Sequence, residues 1–62
     1  MKLLTYKTLQ GQVALIVPSS IIGFVRELNG TRILFGTFQI LVTEELDQVM
    51  KEYIVVMENE QS

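Results

Sequence analysis

Residues 21–35 read Ile21-Ile22-Gly23-Phe24-Val25-Arg26-Glu27-Leu28-Asn29-Gly30-Thr31-Arg32-Ile33-Leu34-Phe35. Two runs rich in β-branched and aromatic residues flank Asn29-Gly30, a strong short hairpin signal because both residues tolerate positive φ. In the first run Ile22 and Phe24 face one way, Ile21 and Val25 the other. In the second, Ile33 and Phe35 are in phase. Gly23 inside the first run points to a bulge or a close backbone approach. A hairpin at the centre of the chain makes an antiparallel β protein the expectation, and the flanks extend it.

Upstream, residues 2–9 alternate Leu4 and Tyr6 against Thr5 and Lys7. Gln10-Gly11-Gln12 then supplies a turn. In residues 12–17, Val13, Leu15 and Val17 are in phase, while Ala14 and Ile16 make the other face apolar too. Such a strand is expected to be central or covered. Pro18-Ser19-Ser20 is a turn cluster. Downstream, Gly36-Thr37 is a further break, and Phe38, Ile40 and Val42 alternate with Gln39 and Leu41.

After residue 42 the period changes. Thr43 is a good N-cap, and Glu44, Glu45 and Asp47 suit the positive end of a helix dipole. Leu46, Val49, Met50, Tyr53 and Met57 fall on one helical stripe. The spacing predicts a helix over 44–56, although Ile54-Val55-Val56 also fits a short strand pairing with a partner. The fold class is therefore α+β, mainly β: an antiparallel sheet or small barrel of four or five strands followed by one C-terminal helix. Residues 1–57 form a single domain and 58–62 a polar tail.

Composition narrows the function. The 62 residues include no Cys, His or Trp, which excludes disulfides, thiolate and imidazole metal sites, and His-dependent nucleophiles. Hydrophobic residues make up 48%, too many for a disordered segment. A domain of this size buries only about 60% of its unfolded surface. With disulfides and a typical zinc site excluded, self-association is the remaining route to added stability, so a homo-oligomer, dimer or larger, is expected. Residues 1–32 carry Lys2, Lys7, Arg26 and Arg32 against Glu27, whereas residues 33–62 carry Lys51 against Glu44, Glu45, Asp47, Glu52, Glu58 and Glu60. The net charge is -2. The apolar runs are too short for a signal peptide or a membrane span, so a cytoplasmic protein without membrane insertion is expected.

Chemistry-bearing patterns are sparse. Glu44, Glu45 and Asp47 are explained by helix-dipole compensation rather than acid–base catalysis or a cation site. Ser19 and Ser20 have no adjacent base, and turn formation accounts for them. Gly11, Gly23, Gly30 and Gly36 form no phosphate-binding loop. No catalytic residue, metal ligand or cofactor is assigned. Lys2, Lys7, Arg26 and Arg32, interleaved with Tyr6, Phe24 and Phe35, could contact phosphates on a stacking sheet face. The net acidity and the core phase of Phe24 and Phe35 weigh against that. The helix stripe, widened by Ile54 and Val56, exceeds what one sheet face requires. Met50, Tyr53, Ile54 and Met57 are the candidate protein interface.

Four runs carry a resemblance: Leu9-Gln10-Gly11-Gln12, Val17-Pro18-Ser19-Ser20-Ile21-Ile22, Gly30-Thr31-Arg32-Ile33-Leu34-Phe35 and Val42-Thr43-Glu44-Glu45-Leu46-Asp47-Gln48-Val49. Together they resemble the small FlbD/SwrD-type bacterial flagellar and swarming-motility proteins, over about residues 3–53. The chain departs from their pattern at Ile16-Val17-Pro18 and Gly36-Thr37. The resemblance implies a non-enzymatic protein that acts through other proteins and carries no cofactor. A weaker likeness links the chain to the carbon-storage-regulator family of RNA-binding dimers. The basic residue expected beside their last strand would fall near Thr43 or Glu44, where positive charge is absent or reversed. The expected function is a small non-enzymatic regulatory or adaptor module acting through protein–protein contacts, with a motility role implied by the resemblance. The alternative is an oligomeric nucleic-acid-binding regulator using Lys2, Lys7, Arg26 and Arg32.

Overall fold

The computed structural model describes residues 2–61, with Glu60 and Gln61 described by their backbone alone. Five strands precede one helix: β1 (Leu4–Lys7), β2 (Val13–Ile16), β3 (Gly23–Glu27), β4 (Gly30–Leu34), β5 (Gln39–Val42) and α1 (Leu46–Gln61). A single 3-10 turn, Pro18–Ser20, separates β2 from β3. The strands form two antiparallel sheets, β1-β2 and β3-β4-β5. A bridge between Thr8 and Val42 joins them. Beside it, Thr43 N–H donates to the Lys7 carbonyl at 2.9 Å and Leu9 N–H to the Leu41 carbonyl at 3.3 Å. The strand order across the junction is thus β2-β1-β5-β4-β3, with β2 and β3 at the outer edges.

Alternation decides which side chains go inside. Leu4 and Tyr6 of β1 are buried, as are Thr31 and Ile33 of β4 and Val42 of β5. Ile16, Ile21, Phe35, Val49 and Val56 complete the core, with Ala14, Phe24, Ile40 and Tyr53 packed against it. Among the described residues Thr31 is the one buried polar side chain, and its hydroxyl donates to the Glu44 carbonyl at 2.8 Å. That bond fixes the chain between β5 and α1.

Four expectations need correction. First, the tight turn of the central hairpin is Leu28-Asn29, because Glu27 pairs with Gly30. Asn29 keeps an ordinary negative φ, and Gly30, at φ +152°, opens β4. Second, β2 is an edge strand, paired only with β1. Its second apolar face is solvent-exposed: Val13 is 66% and Leu15 65% accessible. Third, α1 begins at Leu46, not residue 44. The Glu45 carbonyl accepts the Val49 N–H at 3.0 Å, which puts Glu45 at the N-cap and Thr43 outside the helix. Thr43 instead helps join the two sheets, its N–H donating to the Lys7 carbonyl of β1. Fourth, the helix continues to Gln61. Residues 54–56 are therefore helical rather than a strand, and so is the expected tail through residue 61. Glu58 to Gln61 contain no Gly or Pro to stop the helix. Ser62 lies outside the described residues.

Candidate functional site

Helix α1 lies over the inner sheet face and presents two different sides. Val49 and Val56, one face two turns long, are buried. Tyr53 lies between them and meets Phe24 edge-on, with ring centroids 5.3 Å apart and planes at 74°. This edge-to-face geometry is a favoured aromatic arrangement. Tyr53 is therefore a core-facing residue that ties α1 to β3. Glu52, on the flank toward β1, accepts the Tyr6 hydroxyl at 2.6 Å through Oε1 and Gln48 Nε2 at 2.8 Å through Oε2. Burial of the ring, the hydrogen bond to Glu52 and the charges of Glu52 and Glu44 all push the Tyr6 phenol above its ordinary range.

The opposite side carries Met50, Ile54 and Val55, each between two-fifths and one-half exposed. A shallow depression there is lined by Asp47, Met50, Lys51, Ile54 and Val55. Glu44, Glu45, Asp47 and Glu58 are exposed at the helix start and along this side. Lys51 lies among them, and Arg26 approaches Asp47 from β3. Of the four residues assigned from sequence to a protein interface, Met50 and Ile54 lie on this outer side, Tyr53 faces the core and Met57 is half-buried. Val55, which the sequence reading omitted from the interface, belongs with Met50 and Ile54. Its signal was available in the spacing, since residue 55 follows 51 by one helical turn.

The four cations proposed for phosphate contact are not gathered into one surface. Arg26 lies 3.4 Å from Asp47, and Arg32 lies 2.7 Å from Glu27. Lys7 sits on the outer side of β1, and Lys2 lines a groove between the start of β1 and α1. Phe35 is buried and stacks on Phe38 at 4.6 Å, while Phe24 is held by Tyr53. Arg26, opposite Thr31, shares the helix side of the sheet with Phe24, whereas Lys7 and Arg32 alternate onto the outer side, so the four cations are split between the two sides. Ser20 Oγ donates to the Val17 carbonyl at 2.6 Å, as a turn serine does. Among the described residues no group of three Asp, Glu, Cys or His side chains could hold a metal ion. No helix among them is long and apolar enough to cross a membrane.

Compared with protein-family models, curated proteins and solved structures, the chain matches none of them.

Proposed function

We propose that this chain is a small non-enzymatic regulatory or adaptor module that acts by binding another protein, and that the outer side of α1 receives that protein. The observation that carries the reading is the apolar strip Met50-Ile54-Val55 within an acidic surround. Apolar residues at helical spacing, left uncovered by their own sheet, are what a partner's hydrophobic ridge buries. The carboxylates of Glu44, Glu45, Asp47 and Glu58 select for a partner surface that is basic around that ridge. The motility role implied by the resemblance supplies a setting for such a module. The pairing of Arg26 and Arg32 with carboxylates speaks against phosphate contact as the main activity, since each would have to exchange an ion pair for it.

Fluorescence anisotropy against mixed-sequence single-stranded RNA and duplex DNA separates the classes. No binding at low salt is expected. Micromolar binding that falls steeply with salt would overturn the reading and move the site to the basic strands. A benzophenone amino acid at Ile54, in cells that make the protein, is expected to give a discrete protein adduct that the same probe at Thr37 does not. Equal labelling at both positions would remove the helix surface from consideration.

A further inference from the structure

The unpaired edge of β2 carries an inference independent of the helix surface. Thr8 N–H donates to the Gln12 carbonyl at 2.8 Å, so residues 8 and 12 are a hydrogen-bonded pair. With Lys7 opposite Val13 and Tyr6 opposite Ala14, the alternation of an antiparallel ladder directs the backbone groups of 14 and 16 toward β1. Those of Val13 and Leu15 then point away from the sheet. Val17 continues the extended run, at φ -77° and ψ 115°. The edge therefore offers donors on Val13, Leu15 and Val17 and acceptors on Val13 and Leu15, and the same three residues carry exposed apolar side chains.

Soluble proteins usually blunt such an edge with a charge, a bulge or a proline. The other outer strand, β3, carries Arg26 and Glu27. Residues 12–17 carry no charge at all, and Pro18 ends the run only after Val17. We propose that β2 pairs antiparallel with β2 of a second copy, about a two-fold axis at Leu15. In that register Leu15 lies opposite Leu15 of the second copy, and Val13 opposite its Val17. On the inner side Ala14 meets Ile16, small against large. Every cross-strand pair is apolar and no like charges meet, so the strand is complementary to itself. Leu15 N–H and C=O bond reciprocally, and Val17 N–H donates to the Val13 carbonyl. The Val17 carbonyl is already taken by Ser20 N–H and Oγ. The symmetry closes at two copies and joins the two small sheets into one of four strands, β1-β2-β2-β1.

The contact is small beside the roughly 800 Å² per partner of a standard interface, so the dimer should dissociate on dilution. Sedimentation equilibrium from micromolar to millimolar protein is expected to run from the 7.1 kDa chain to twice that mass. Leu15→Lys places two like charges opposite each other and is expected to raise the dissociation constant about tenfold or more. Mixing Leu15→Lys with Leu15→Glu should restore association as a heterodimer. Val25→Lys, on the outer side of β3, should leave it unchanged. Leu15→Cys should form an intermolecular disulfide under mild oxidation, because a hydrogen-bonded pair sets Cα atoms about 5.5 Å apart. Val13→Cys alone should not, yet should crosslink when mixed with Val17→Cys. A monomer at every concentration, or a dimer indifferent to Leu15→Lys, would overturn the proposal. Either outcome leaves the helix surface and its protein partner standing.

Discussion

The β1–β2 and β3–β4 hairpins each hold one glycine at positive φ, and the two glycines are there for different reasons. Gly11, at φ +85°, has nothing within 4 Å of the place a Cβ would occupy. It serves only the turn, where its N–H donates to the Thr8 carbonyl. Gly30, at φ +152°, would put a Cβ 1.9 Å from the Val42 carbonyl oxygen, which is backbone and cannot rotate aside. The first hairpin is at the rim, with one edge and one apolar side open. The second is pressed between β5 and the chain leading into α1. Both sheets bury side chains, Leu4, Tyr6 and Ile16 from one and Ile33 and Val42 from the other, but the tight backbone contact is in the three-stranded sheet and the open apolar edge in the two-stranded one.

Breaking that contrast gives the largest effect first. Gly30→Ala combines a strained backbone with a clash and is expected to cost about 3–5 kcal/mol. A chain of this length has only roughly 3–9 kcal/mol in total. Urea titration followed by far-ultraviolet circular dichroism should show a chain largely unfolded without denaturant. Retention of the wild-type midpoint would mean that β4 and β5 have more freedom than the packing at Val42 allows. Ile33→Ala comes next. Its side chain is fully buried at the middle of β4, and its loss should cost about 3 kcal/mol. The same change at Leu15, two-thirds exposed, should move the stability of the monomer by less than about 0.5 kcal/mol. Equal costs at the two positions would erase the distinction between the sheets. Gly11→Ala, with space but the wrong backbone region, should cost about 1 kcal/mol, well short of Gly30→Ala.

The inner side of the sheet was readable because burial writes itself into alternation. Leu4 and Tyr6, then Ile33 and Phe35, are in phase and are all buried. The position of β2 was not readable. Two-faced apolarity marks a covered central strand in most sheets, and it arises here from one buried face plus one that is solvent-exposed. Single-strand periodicity cannot separate those cases. The stripe read from the sequence, Leu46, Val49, Met50, Tyr53 and Met57, holds the buried Val49 and the core-facing Tyr53 but also the exposed Met50, and it reaches the buried Val56 only by extension. Residues 46, 50, 53 and 57 and residues 46, 49, 53 and 56 are equally good stripes at a period of 3.6. The sheet contacts choose between them, with Phe24 engaging Tyr53 while Val49 and Val56 are buried. The turn at Leu28-Asn29 was displaced by one residue because glycine is needed beside Val42 rather than within the turn itself. The Tyr6–Glu52 bond joins residues 46 apart, and no local pattern announces a contact of that range.

That bond gives the most specific effect, since it ties a side chain of β1 directly to α1. Tyr6 is raised first by burial, then by its hydrogen bond to Glu52 and by the neighbouring carboxylate charges. An unfolded tyrosine loses its proton near about pH 10. The folded phenol holds its proton to higher pH, so above that point the folded state binds more protons than the unfolded one. Stability therefore has its full contribution from this group below about pH 10 and loses it progressively as pH rises further. Denaturation midpoints from pH 8 to 11.5 should fall at the alkaline end for the wild-type chain. Tyr6→Phe removes both the hydrogen bond and the titration. It should lower stability near pH 8 by about 1 kcal/mol and flatten the alkaline decline. Parallel profiles for the two proteins would mean that the phenol is as solvated in the fold as in the unfolded chain, and that the β1–β2 hairpin is held to α1 by its apolar side chains alone.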